Sequence, residues 1–168
     1  PRLKDLRHRV SGYLSGGVYR GIASGANVVL VRVSDPHTGR IDEEAIYRGL
    51  AWVIANQARY DIRVVNISLG GDHDPVPGNR LDRKVLEAVR RGMVVVAAAG
   101  NSGTRRLVPP ASAAAAITVG GLDDQNTLDR AQHRMYRSNW NGARHPKPEV
   151  IAPSIWVAAP ILPGTRVH

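Results

Sequence analysis

The chain has 168 residues, 43% of them hydrophobic and 22% charged, enough for one domain with its own core and an ordinary globular balance. It contains no cysteine, which excludes a disulfide framework and any thiolate metal site. Its formal charge of +9 invites a nucleic-acid partner, but the Arg and Lys residues are scattered and no aromatic residues interleave them, so we read a solvated basic surface and no nucleic-acid role.

In chain order, residues 1–11 (PRLKDLRHRVS) carry charge and no following apolar stretch, so no signal peptide is expected there. Residues 27–33 (NVVLVRV) form a short, valine-rich run and are expected to be a strand. A helix should follow. Ile46, Leu50, Val53 and Ile54 fall on one helical face, Asp42 stands where an N-cap belongs, and Glu43 and Glu44 suit the positive end of the helix dipole. Residues 62–68 (IRVVNIS) read as the next strand. Val85, Leu86 and Val89 mark a second helix, closed by Arg90 and Arg91, with Gly92 available for a left-handed turn.

Residues 93–98 (MVVVAA) and 116–122 (AITVGGL) read as further strands, and two short ones are expected at 149–152 and 155–158. The runs 93–99 and 113–119 are the longest apolar stretches, far short of the roughly 20 residues that span a bilayer, so no membrane partner is expected. Loops are marked at 72–79, 100–110 and 139–148, and no internal repeat or clean domain boundary is visible. The continuous apolar strands are expected to be buried on both faces. The fold class is therefore α/β: a doubly wound, mostly parallel sheet with flanking helices, joined by right-handed crossovers.

In such sheets ligands bind beyond the carboxyl ends of the strands. Here those ends read Ser34-Asp35, Ser68-Leu69-Gly70-Gly71 and Ala99-Gly100-Asn101-Ser102-Gly103. Small residues there let another backbone approach closely.

The segment Val94-Val95-Val96-Ala97-Ala98-Ala99-Gly100-Asn101-Ser102-Gly103 resembles the oxyanion-hole segment of the subtilisin-like serine proteases. Val65-Asn66-Ile67-Ser68-Leu69-Gly70-Gly71 resembles the wall of that family's substrate cleft. Tyr19-Arg20-Gly21-Ile22-Ala23 with Gly25-Ala26-Asn27-Val28 resembles the stretch after its catalytic-histidine helix, and Ala152-Pro153 with Leu162-Pro163-Gly164-Thr165 resembles the stretch before its nucleophile. These segments keep the family's order over residues 12–165. Residues 12–168 are thus read as part of a subtilisin-like peptidase domain, with 1–11 unmatched.

The resemblance implies a fragment of a serine endopeptidase that cuts peptide bonds through an acyl-enzyme. Asn101 would donate to the oxyanion from a neutral carboxamide on a rigid mount; in a member of this same family, losing such a donor costs about 10²–10³ in rate. Ser68, Leu69 and Gly70 would pair with an extended peptide by strand addition, and Ala98 and Gly100 would form the opposite wall of the specificity pocket. Residues 104–110 look short for that pocket's base, and Pro109-Pro110 is a candidate cis bond. Outside this segment, the partners implied are an extended peptide or protein substrate and the remainder of the protease domain. The family points to an exported, extracellular protein.

The family's Asp, His and Ser motifs are all missing from the sequence. His8 is not followed by glycine, and Gly164-Thr165-Arg166 comes too early for the serine motif and carries Arg in place of serine. His37, His73, His133, His145 and His168 are expected to be solvent-exposed. The chain alone is expected to be inactive, because a triad needs a nucleophile, a base and an orienting carboxylate. No cofactor is identified. Asp123-Asp124 and Asp72-x-Asp74 lack the spaced carboxylates of a calcium loop, and calcium, which the family often binds, is expected only in the longer parent. The alternative readings are a non-catalytic module that holds peptides in a protease-like cleft, and an unrelated nucleotide-binding domain. Against the latter, Ser34-Asp35-Pro36 stands where a Gly-rich phosphate loop belongs.

Overall fold

A computed structural model describes residues 13–14, 17–18, 23, 25–70, 78–142 and 146–155. The readings made on residues 1–11, 19–22, 71–77, 143–145 and 156–168 therefore lie outside the described residues. The chain divides into two units, Pro1–Leu30 with Trp156–His168, and Val31–Ile155. In the first, β1 (Tyr13–Leu14) and β2 (Gly17–Val18) form an antiparallel ladder that sets Tyr13 opposite Val18.

The second unit holds helices α1 (Glu43–Ala55), α2 (Gln57–Tyr60) and α3 (Arg80–Arg90), and strands β3 (Val64–Ile67), β4 (Val94–Ala98), β5 (Ile117–Asp123), β6 (Arg134–Tyr136) and β7 (Val150–Pro153). β3–β4, β4–β5 and β5–β7 are parallel, and β5–β6 is antiparallel. Val119 pairs with both Ala98 and Val150, and Gly121 with both Tyr136 and Ala152. A strand has one partner per edge, so β4 and β6 occupy the same edge of β5 in succession, and β7 takes the other. β6 therefore ends beside the end of β4.

α1 forms as its sequence dictates. Asp42 accepts from Ala45 N at 2.6 Å, and Ile46, Leu50, Val53 and Ile54 are all buried. α3 is capped by Asn79, whose Oδ1 accepts from Leu81 N at 2.6 Å, and Gly92 takes a left-handed φ of +85° after its end. Its buried residues are Leu81, Val85 and Ala88; Leu86, expected on the core face, is turned outward. These side chains join Ile67, Val95, Ala97 and Ala99 in one core cluster. Full burial of a side chain such as Leu81 or Val85 contributes roughly 1.5–3 kcal/mol.

Three expectations are corrected. Residues 27–33 join no ladder: Val31 and Val33 pack on the core, and Val33 Cγ1 lies 2.6 Å from where a Cβ on Gly49 would sit. Side-chain packing over α1 takes the place of strand pairing, and the expected first crossover is absent. Next, the apolar strands are buried on one face only among the described residues. On the other face Val64 is 61% exposed and Val94 43%. Finally, Ile155, expected to start a strand, is unpaired, and β6 lies in a stretch for which no element was expected.

Sequence reasoning also passed over the anchor that ties β5 to the approach to β7. Lys147 Nζ donates to Ala116 O (2.8 Å), Thr118 Oγ1 (3.1 Å) and Glu149 Oε1 (2.6 Å), while Glu149 Oε2 accepts from Thr118 N (2.8 Å). The lysine side chain is buried, and its three N–H bonds are all used. The Lys147–Pro148 peptide bond is cis, as is Pro109–Pro110.

Candidate substrate cleft

At the carboxyl ends of β3, β4 and β5 the open sheet face forms a cavity of about 560 Å³. The parallel register pairs Asn66 with Val96 and Ile67 with Ala97, so Ser68 and Ala98 reach the rim together. Alternation along the strands turns Asn66, Ser68, Val96, Ala98 and Val119 into this cavity while Ile67 and Val95 face the helices. Asn66 Nδ2 donates to Ser68 Oγ at 3.1 Å.

Of the residues singled out from sequence, Ser68, Ala98, Gly100 and Asn101 line this one cavity. Leu69 and Gly70 do not. Leu69 turns inward and lines a small cavity of about 80 Å³ beside Val31, Val33 and Leu50. Gly70 faces the 104–110 loop, where a Cβ would lie 3.2 Å from Val108 Cγ2. The side chain of Asn101 is exposed and has no hydrogen-bond partner among the described residues.

Two glycines bracket that asparagine. Gly100 has φ +97° and Gly103 φ +65°. A Cβ on Gly100 would also lie 2.9 Å from Asn139 Nδ2, so both conformation and space exclude a side chain. Asn139, which sequence reasoning did not single out, is buried against this loop. Ser102 N donates to its Oδ1 at 2.8 Å, and its Nδ2 donates to Arg106 O at 2.9 Å. Its position in an Asn-rich, loop-like stretch gave no periodic signal.

Arg137, at φ +46°, is the one charged residue lining the cavity among the described residues, with its guanidinium 6.0 Å from the Tyr136 ring centroid. Neither described histidine lines it: His37 lies in an exposed turn, where its N–H donates to Asp35 Oδ1, and His133 Nε2 is 2.8 Å from Thr127 O. Asp123 is engaged by Gln125 and Asp124 by the Asn126 N–H, and no three acidic or histidine side chains gather among the described residues.

The family model described as the subtilase family matches residues 9–159. The chain belongs to the subtilase family. The subtilase segment is 35% identical over 169 residues to the serine protease AprX of Bacillus subtilis (strain 168), covering 94% of this chain and 38% of AprX. Among solved structures it is similar to an S41 psychrophilic protease, with a TM-score of 0.68, 21% identity, and coverage of 87% of this chain and 49% of that one. It is also similar to the self-cleaved protease domain of PatA, with a TM-score of 0.57, 28% identity, and coverage of 80% and 47%. The subtilase segment thus spans less than half the length of these relatives. Its fold is a partial subtilisin-like α/β fold: a mostly parallel sheet with flanking helices.

Proposed function

We propose that this chain is the substrate-binding and oxyanion-stabilising part of a subtilisin-like serine endopeptidase. The observation that carries the reading is that the unpartnered carboxamide of Asn101 and the end of β3 at Ser68 open onto one cavity at the carboxyl edge of the sheet. An extended peptide would lie along 68–70, which run on past the ladder, and pair with that backbone as an added strand. Its scissile carbonyl would face Asn101 Nδ2. As a nucleophile adds, negative charge grows on the carbonyl oxygen, and a fixed N–H donor stabilises that charge more than it stabilises the ground state. Ala98 and Gly100 leave the wall free for a substrate side chain.

Acyl transfer also needs a nucleophile, a base and an orienting carboxylate. The sequence contains no His-Gly-Thr, no Gly-Thr-Ser and no Asp-Thr-Gly or Asp-Ser-Gly. Those groups would come from the remainder of the protease domain, and the isolated chain would be inactive. The remainder would also cover the open sheet face. An exported location follows from the family reading alone. Among the described residues no helix is long and apolar enough to cross a membrane.

The test is a fluorophosphonate probe for activated serines together with titration of a tetrapeptide bearing a free C-terminal carboxylate, whose oxygen mimics the oxyanion. The chain should stay unlabelled, and Asn101→Ala should weaken the peptide by about fivefold, the worth of one hydrogen bond. Labelling of the chain, or an Asn101→Ala variant that binds as tightly as the wild type, overturns the reading.

A further inference from the structure

We propose that Asn139 is the positioning residue for Asn101, holding the peptide groups on either side of it so that its carboxamide faces the cleft; this rests on the oxyanion reading above. Because β6 follows β4 along the same edge of β5, the chain leaving β6 runs beside the chain leaving β4. Five hydrogen bonds join the two exits. Asn139 N donates to Gly100 O (3.3 Å), Ser102 N to Asn139 Oδ1 (2.8 Å), and Gly103 N to Arg137 O (2.8 Å). Trp140 N donates to Thr104 O (3.0 Å), and Asn139 Nδ2 to Arg106 O (2.9 Å).

Asn101 stands in the middle of this clamp. The carbonyl before it and the N–H after it are both held by Asn139, while its own side chain has no partner among the described residues. Asn139 is 8% exposed, and its carboxamide bonds to Ser102 N and Arg106 O in the 102–106 loop. The missing Cβ of Gly100 makes the space that Asn139 fills. The clamp is itself anchored to the sheet through Ser138, whose hydroxyl accepts from Gly121 N at 2.5 Å and donates to Tyr136 O at 3.0 Å. An oxyanion donor acts only if it is already in place when charge develops, and a short loop between two glycines would not hold one unaided.

The test uses the 168-residue chain and the same free-carboxylate tetrapeptide, with amide hydrogen exchange as a second readout. Asn139→Ala removes both side-chain bonds; Asn139→Asp keeps the acceptor for Ser102 N. In Asn139→Ala, exchange at Ser102 should quicken by about tenfold while Val95 and Ala97 in β4 stay unchanged, because only the loop is released. Peptide affinity should fall by about fivefold, and in an Asn101→Ala background the same substitution should cause no further loss. Asn139→Asp should bind within about twofold of wild type and keep Ser102 slow. Equal quickening throughout β4, or an undiminished affinity loss in the Asn101→Ala background, overturns the proposal. So does an Asn139→Asp variant that binds as weakly as Asn101→Ala, which decides the matter if Asn139→Ala does not fold. If Asn101→Ala itself leaves affinity unchanged, the oxyanion reading fails separately, and the exchange pattern still decides whether Asn139 holds the loop.

Discussion

Lys147 Nζ lies 2.6 Å from Glu149 Oε1, with the lysine side chain 1% exposed and the glutamate 37% exposed. The pair is half wet, so its Coulomb attraction is screened on one side. Its main contribution is that the ammonium satisfies Ala116 O and Thr118 Oγ1, and the carboxylate satisfies Thr118 N. Lys147→Met leaves those acceptors without a donor and should cost about 2–4 kcal/mol. In thermal unfolding that corresponds to a fall in Tm of about 5–15 °C. The double variant Lys147→Met with Glu149→Gln should recover part of the loss, since Gln keeps the acceptor for Thr118 N and carries no stranded charge. No recovery contradicts the account.

Asp82 and Glu149, which both feel the Lys147 charge, should act in opposite directions with pH. Burial pushes Asp82 up to about 6, with the negative charge of Glu43 adding to it and Ser112 and Lys147 opposing. Its folded state binds a proton more tightly than its unfolded state does. Its contribution to stability therefore falls as pH rises from the ordinary carboxylate value to about 6, and is flat above. Asp82→Asn should raise Tm at pH 7 and remove that slope, while leaving an acceptor for the Ser112 hydroxyl.

Glu149 runs the other way. Burial raises its pKa, but the Lys147 ammonium and the Thr118 N–H outweigh it, and the carboxyl is held below its usual range. Its contribution is fully present above the unfolded value near 4.5 and is lost as pH falls through the lower folded value. Glu149→Gln should flatten the acid limb of stability below that pH and lower stability at pH 7, where the carboxylate's contribution is fully present and the buried Lys147 ammonium loses its counter-charge. An acid limb identical to wild type contradicts the assignment.

Gly100 is where conformation and space coincide. Its φ of +97° and the 2.9 Å approach of Asn139 Nδ2 both bar a side chain. Gly100→Ala should destabilise the chain by about 1–3 kcal/mol and weaken peptide binding as well, because it drives apart the clamp beside Asn101. Gly25→Ala is the control: a Cβ there meets nothing within 4 Å, and the change should be close to neutral. Chemical denaturation compares the two.

What could be seen in the sequence was whatever repeats with a period or stops with a capping residue. Asp42, Ile46, Leu50, Val53 and Ile54 announced α1 because four apolar residues at helical spacing have one structural solution. The ends of β3 and β4 were legible because Ser68 and Gly100-Asn101 follow valine-rich runs. The same valine-rich composition misled at 27–33, since β-branched content reports burial, and Val31 and Val33 achieve burial on α1 with no strand partner. Lys147, Glu149 and Asn139 gave no signal. They sit in non-periodic stretches, and their roles depend on partners 29 to 37 residues away that only the folded sheet brings close.

The most direct measurement of the central claim maps, residue by residue, the amide chemical shifts of the labelled chain during titration with the free-carboxylate tetrapeptide. The largest changes should fall on Ser68, Leu69 and Gly70 and on Gly100, Asn101 and Ser102, two segments distant in sequence that share one cleft. Changes confined to the helical face around Trp52 and Leu86, or no saturable change at Asn101, would contradict the protease-cleft account.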